Sequence, residues 1–282
     1  VEEIKARLLG TATHDLFAET NNVPPRWTPV RAGAGRVDVT NALAATLLAY
    51  ATNQPGTVHG SFGLLAAGVV TQAERQVKVV NRAAYAQSVR LSYVPAADLP
   101  GADYVFPGGT NLSLGAGAST TVLVRLNASP ANLRNLRPAS IVSNQATSAG
   151  SLPRYWMPEE SGYLTLTPAT GAPVRLVLHA SVRPASALSC TSTQVTLGAA
   201  SGSVNLALAG AGVNTGSTFP SNWVSSASAF GLQWRSTNSP AYGRVRACGV
   251  MTDWKALQAA GGNLSNAWVA FGLVLPQPLP SP

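Results

Sequence analysis

The middle of the chain, from Gln54 to about Pro184, alternates apolar and polar residues with a period of two. This alternation is typical of strands that place one face in a core and the other in solvent. The predicted strands, separated by Gly and Pro turns, cover Arg75–Asn81, Ala86–Val94, Ser119–Leu126, Gly162–Thr167 and Pro173–Val182. Strands at this spacing predict an antiparallel β-sandwich.

The first residues follow a helical period instead. Val1, Ile4 and Leu8 fall on one face of a short helix, and Glu2 and Glu3 occupy its first turn, the end where acids are favoured by the helix dipole. Gly10 can end this helix.

A second helix is predicted after a proline-bearing loop and the pair Gly33 and Gly35, which allow a tight backbone path. Asp38 or Thr40 can cap it. The apolar residues expected to face a core are Leu43, Leu47, Leu48 and Tyr50. Because two short helices are not stable alone, their apolar residues need a partner in the same chain or in another one. The predicted interface comprises Val1, Ile4, Leu8, Leu43 and Leu47.

The last third of the chain is again strand-like, over Ser203–Leu208, Ser228–Trp234, Arg244–Val250 and Ala267–Leu273, with a short helix at Trp254–Ala260. We therefore predict a mainly β protein with two consecutive antiparallel sandwiches. The predicted parts are two helices over residues 1–53, sandwiches over 54–185 and 186–275, and an extended proline-rich tail over 276–282.

Composition supports folded domains and assigns no charged partner. Apolar residues make up 46% of the 282 residues and charged residues 11%, which argues against disorder. The net charge is +8, but the basic residues are scattered and form no run, so neither nucleic acid nor an anionic surface is indicated. The apolar run Leu64–Val70 is too short to span a membrane.

The two cysteines, Cys190 and Cys248, leave two alternatives open. They are either free buried thiols or one disulfide, which would close a loop of about 58 residues and stabilise the fold by roughly 4 kcal/mol. The extracellular character of the rest of the chain favours the disulfide.

No catalytic, cofactor-binding or metal site is predicted. His14 beside Asp15 is the one neighbouring His–Asp pair, and His59 and His179 are single. No His or Cys pair has metal-ligand spacing, and the glycine-rich segments lack the lysine and the helix that phosphate binding requires. The tryptophans of the last third, which are Trp223, Trp234, Trp254 and Trp268, are either core residues or part of a carbohydrate-stacking surface.

Two segments near the start resemble the end of a subtilisin-like serine protease catalytic domain. They are the helix that ends in Gly10-Thr11-Ala12 and the run Gly33-Ala34-Gly35-Arg36-Val37-Asp38-Val39, which leads through Ala42-Leu43. The order of the strands from Val77 to Val182 is similar to the fibronectin type III-like module that follows many subtilase catalytic domains. The run from Cys248 through Gly261-Gly262 to Phe271-Gly272 looks like the terminal sandwich of some large secreted members.

The resemblance implies a non-catalytic carboxy-terminal part of a secreted subtilase, because the family's Gly-Thr-Ser-Met-Ala motif and its aspartate and histidine motifs do not occur in this sequence. A start in mid-helix at Val1 would then reflect an excised or processed piece, and the missing catalytic domain would be the partner. Two alternatives are an extracellular structural or adhesive subunit that assembles with neighbouring copies through the helices or the tail, and a carbohydrate-binding module.

Overall fold

In a computed structural model, the described residues of the protein are 1–14, 16–17, 25–52, 56–68, 71–148, 150–154, 157–192, 204–214, 224–225, 227–236 and 245–275. They fall into two compact units, Val1–Ser225 and Ser226–Pro282. This boundary lies well beyond residue 186, where the sequence predicts the second sandwich to begin.

The first unit contains a sandwich of a four-stranded and a five-stranded sheet. The four-stranded sheet has the order β1-β3-β7-β5, with β1 Leu47–Ala51, β3 Thr71–Asn81, β7 Ser119–Ala128 and β5 Ala102–Val105. The five-stranded sheet has the order β2-β11-β10-β4-β6, with β2 Gly60–Ala67, β11 Val174–Pro184, β10 Glu160–Pro168, β4 Gln87–Ala97 and β6 Asn111–Leu114. Short two-stranded sheets pair β8 Asn144–Thr147 with β9 Gly150–Pro153 and β12 Ser189–Cys190 with β13 Leu208–Ala209.

Alternate residues of these strands fill one core. Val77 and Val79 of β3, Leu126 of β7, Leu166 of β10 and Leu178 of β11 are all buried in it. The prediction of a mainly β, sandwich-type fold is confirmed. One pairing differs from the prediction, because β2 runs parallel to β11 within otherwise antiparallel sheets.

The predicted second helix is wrong in its second half. The helix α3 covers only Val39–Ala44, capped by the Asp38 carboxylate, which accepts a hydrogen bond from the Asn41 amide at 2.9 Å. Residues Leu47–Ala51 form β1, which pairs antiparallel with β3. A run of apolar residues this short is compatible with a helix or a strand. Here the hydrogen-bonded pairing with β3 stabilises the strand.

The first helix is as predicted, but it buries a different face. The helix α1, Glu2–Gly10, packs on β1 and β11 through Ala6 and Gly10, both buried, whereas Ile4 remains exposed. The guanidinium of Arg7 donates to the carbonyls of Ala42 and Ala45 at the end of α3. Both helices therefore pack within the same chain, although their larger apolar residues, such as Ile4 and Leu43, stay exposed.

A tight backbone crossing follows α1. Thr13 and Arg36 exchange two backbone hydrogen bonds of 2.8 and 2.9 Å. Gly35 has a φ of +110° there, and a Cβ on it would lie 2.1 Å from the Thr13 carbonyl oxygen. The close approach permits only glycine at this position. Between these residues lies the one-turn helix α2, Pro29–Ala32.

The described residues of the second unit form one antiparallel sheet of three strands, β14 Gly231–Arg235, β15 Ala247–Thr252 and β16 Val269–Val274. The helix α4, Trp254–Ala259, and a 3-10 turn, Leu264–Asn266, connect β15 to β16. A second facing sheet, which the sequence predicts, is not found among the described residues. The predicted tail over 276–282 lies outside them.

None of the helices in the described part of the chain is long and apolar enough to cross a membrane.

The packing of α1 on the sandwich gives a first prediction. A Cβ at Gly10 would lie 2.8 Å from Val174 Cγ1 and 3.2 Å from the Arg175 carbonyl oxygen, so Gly10→Ala forces α1 away from β11. We expect the free energy of unfolding to fall by about 1–3 kcal/mol, measured by urea denaturation. The matched control is Gly108→Ala, since a Cβ there meets nothing within 4 Å. Equal stability of the two variants would show that α1 does not pack tightly on β11.

Candidate functional site

A cavity of about 330 Å³ lies between the helices α1 and α2 and the strands β1, β2 and β11. We call it the seam cavity. Its volume is at the lower end of the range of small-molecule sites, roughly 300–1,000 Å³. The apolar part of its lining comes mainly from Ala6, Leu9, Pro29, Ala49, Val58 and Leu176. All of these are buried except Leu9.

The polar part of the seam cavity comes from two neighbouring strands. The parallel register places His179 of β11 opposite Ser61 of β2, and His59 lies just before β2. Arg175 of β11 also lines the cavity. His59 is exposed and shows where the cavity opens to solvent. Burial lowers the pKa of His179, and the charge of His59 lowers it further.

A buried carboxylate attaches α2 to the sandwich. The Glu159 side chain is 7% exposed and accepts hydrogen bonds from the Thr28 hydroxyl, at 3.1 Å, and from the Ser161 hydroxyl. Burial raises the pKa of Glu159, while the hydrogen bonds from Ser161, Thr28 and the Val30 backbone and the charge of Arg31 act in the opposite direction. Because Thr28 immediately precedes α2, this contact fixes one wall of the seam cavity.

The adjacent carboxylate is buried on the sandwich side. Glu160 is 1% exposed and accepts hydrogen bonds from the Tyr93 hydroxyl at 2.6 Å and from the Leu99 amide at 2.7 Å. Burial raises its pKa to about 7, against the effect of these two hydrogen bonds. Burial likewise raises the pKa of Tyr93 and Tyr104, whose rings are in edge contact at 4.8 Å. With so little exposure Glu160 is out of reach of a substrate, so we assign it a structural role.

The second unit exposes an apolar sheet face. Residues paired directly across an antiparallel sheet share a face. The register joins Leu273 to Cys248 and Cys248 to Trp234, and it joins Phe271 to Val250. We call this surface the C-terminal apolar face; it consists of Trp234, Cys248, Val250, Val269, Phe271 and Leu273. It contains no charged residue, and Phe271 is 78% and Leu273 64% exposed.

Phe230 covers part of the opposite face of this sheet. A Cβ at Gly249 would lie 2.8 Å from Phe230 Cβ, and one at Gly272 would lie 3.0 Å from the Phe230 ring. Phe230 therefore packs over two glycines that face each other on β15 and β16.

The residues of the predicted interface divide into two groups. Val1 (83%), Ile4 (67%), Leu43 (78%) and Leu8 (37%) are exposed, as an unpartnered surface requires. Leu47 is 1% exposed and lies in the sandwich core, so its assignment to an interface is wrong. The error follows from the strand β1, which turns Leu47 into the core.

Both cysteines are free and neither is buried. Cys190 is exposed on β12, and Cys248 is half-buried on the C-terminal apolar face. They belong to different units, and a disulfide between them stays a prediction.

The aromatic and histidine residues singled out in the sequence do not converge on one site. Trp234, Trp254 and Trp268 are 38–50% exposed, which contradicts the expectation that they pack in a core; Trp223 lies outside the described residues. Carbohydrate binding stays a prediction, to be tested by retention on insoluble polysaccharide. The His14 ring lies 3.8 Å from the Tyr163 ring, away from the other two histidines. Among the described residues, no group of three metal-ligating side chains is present.

Neither a protein-family model nor a curated protein matches this chain. Similar solved structures include a FixG-related protein from Vibrio parahaemolyticus (12% identity, 48% of this chain and 94% of that one, TM-score 0.28). A second is PapD-like domain 7 of human CEP192 (10% identity, 50% of this chain and 88% of that one, TM-score 0.30). A third is the CooA pilin subunit of enterotoxigenic Escherichia coli (15% identity, 48% of this chain and 99% of that one, TM-score 0.28). At these TM-scores the likeness does not indicate a shared function.

The raised pKa of Glu160 predicts a pH-dependent stability. The folded protein holds this proton up to about pH 7, whereas the unfolded chain releases it near the ordinary glutamate value. The stabilisation is complete below the unfolded pKa and is lost as the pH rises through 7. We expect the free energy of unfolding to fall by on the order of 3 kcal/mol between pH 4.5 and 8.

The variant Glu160→Gln isolates this effect, because an amide keeps an acceptor for the Leu99 amide but cannot ionise. Urea denaturation across the pH range should give a flatter profile, with a remaining slope from Glu159, whose pKa shifts in the same direction. Glu74→Gln, at an exposed ion pair with Arg125, is the control and should keep the original slope. An unchanged slope in Glu160→Gln would show that Glu160 is not the titrating group.

Proposed function

We propose that this protein is a non-catalytic, extracellular structural or adhesive subunit whose copies associate through the C-terminal apolar face. The observation that carries the proposal is the exposure of that face. Among the described residues of the second unit, no second sheet packs against it. Contiguous apolar surfaces of this kind mark interaction sites.

A second copy is the occupant that fits the strand β16 best. Its sequence from Val269 to Val274 has no charge and no proline, the two devices that usually prevent edge strands from pairing. Within the described residues β16 pairs on one side only, with β15. Pairing at this edge would only extend the sheet, so the face itself is covered by the same face of a second copy, packed against it about a two-fold axis without need of another chain.

The size of the face agrees with such an interface. Trp234, Val269, Phe271 and Leu273 are each at least half exposed and together offer on the order of 500 Å² of apolar surface. A standard interface takes roughly 800 Å² from each partner, a little over half of it apolar.

The test is the concentration dependence of mass in sedimentation velocity. We expect the wild-type chain to associate and Phe271→Glu to raise the dissociation constant at least about tenfold, because the carboxylate would be buried without a partner. Leu152→Glu is the matched control; Leu152 is 58% exposed on β9 of the first unit, and the variant should associate like the wild type.

Ile4→Glu separates the two possible surfaces. If this variant alone abolishes association, copies assemble through α1, and the C-terminal apolar face is not the interface. A wild-type chain that stays monomeric at high concentration would contradict the proposal as a whole.

A second candidate function is the accessory part of a subtilisin-like protease. It is supported by the sequence resemblance of residues 4–12 and 33–43 and by the exposure of Val1, Ile4 and Leu8, which a catalytic domain would cover. We expect the chain alone to hydrolyse no peptide substrate, since the family's catalytic motifs do not occur in its sequence. Hydrolysis that a serine-directed inhibitor blocks would overturn this prediction.

A further inference from the structure

We propose that the seam cavity binds a small carboxylate with a medium-length apolar tail, with the tail between α1, α2 and the sheet and the carboxylate beside His59, His179 and Arg175. This inference is independent of self-association, since the cavity belongs wholly to the first unit.

The shape of the cavity accepts a tail. Its deep residues, Ala6, Ala49, Val58 and Leu176, are apolar and at most 5% exposed. The side of α1 that lines the cavity carries the small residues Ala6 and Gly10, which place no long side chain in the space. A cavity of about 330 Å³ with this apolar lining has room for a medium-length alkyl chain.

The polar side of the cavity offers hydrogen-bond donors. An imidazole presents at least one N–H in either tautomer, and a guanidinium presents five. Among the described residues, neither His59 nor His179 has a hydrogen-bond or ion-pair partner, and no Asp or Glu lines the cavity. Donors with a net positive charge and no local carboxylate favour an anionic, acceptor-only group, and a carboxylate is the simplest one.

The position of these donors fits an amphiphile. His59 is exposed and His179 and Arg175 are half-buried, so the donors lie toward solvent, while the apolar residues Ala6, Ala49, Val58 and Leu176 are buried. A bound carboxylate could therefore keep part of its hydration while its tail leaves water. A neutral ligand with the same tail would gain the apolar burial but not the charge-assisted hydrogen bonds.

The probes are octanoate and octanol, which share a tail length and differ in the head group. We expect saturable binding of octanoate to the full chain by NMR titration, with intermolecular NOEs to the methyl groups of Val58 and Leu176. Octanol should bind at least about tenfold more weakly, the factor expected for a lost charge-assisted hydrogen bond. Equal affinities, no saturable binding, or NOEs only to the C-terminal apolar face would each overturn the proposal.

Variants assign the two ends of the site. Arg175→Met and His179→Phe keep most of the side-chain volume and should weaken octanoate at least about fivefold while leaving octanol unchanged. Arg90→Met, at an exposed position of β4 that does not line the cavity, is the control and should bind like the wild type. Ala34→Phe, at the half-buried edge of the cavity, should block both probes. Octanoate affinity unchanged in both Arg175→Met and His179→Phe would show that these donors do not hold the carboxylate.

Discussion

The burial of two consecutive carboxylates at the start of β10 is the constraint on which the first unit depends. Successive side chains of an extended chain point to opposite sides. Glu159 therefore reaches the helical cover through Thr28, while Glu160 reaches into the sandwich toward Tyr93 and the Leu99 amide. A buried carboxylate is costly unless it is protonated or well hydrogen-bonded. This cost makes the arrangement specific, since moving α2 or the loop at Leu99 would leave a carboxyl group without its donors.

The seam cavity follows from that constraint. The contact between Thr28 and Glu159 holds the start of α2 against the sandwich, and the contacts of Ala6 and Gly10 hold α1. Small residues allow α1 to approach the sheet closely, yet unfilled volume is left between the two helices and the sheet. The contact of Thr28 with Glu159 holds α2, and the small residues Ala6 and Gly10 hold α1. Neither contact places a large apolar side chain in the space between the helices and the sheet, so a cavity remains there.

The sequence pattern predicts the sandwich well because its long strands alternate clearly. Segments such as Ser119–Leu126 and Pro173–Val182 contain the same residues as β7 and β11 within a few positions at each end. Leu47–Ala51 was not predictable as a strand, because five apolar-rich residues after a helix fit both periods and only the distant pairing with β3 distinguishes them. The docking face of α1 was missed for another reason: hydrophobic periodicity selects Ile4 and Leu8, whereas the contact uses Ala6 and Gly10, whose advantage is their small size.

The polar side of the cavity lies beyond sequence reasoning because it depends on a parallel pairing across more than one hundred residues. His59 and His179 are single in the sequence, and only the register of β2 with β11 brings them to one opening. For the C-terminal apolar face, in contrast, the sequence predicts the strands themselves, but it does not predict that one face of their sheet is exposed. The alternation of β16 is that of a strand beside a core, and among the described residues no second sheet supplies that core. An apolar face formed by local pattern alone needs a cover, and the same face of a second copy, packed against it about a two-fold axis, is the simplest one.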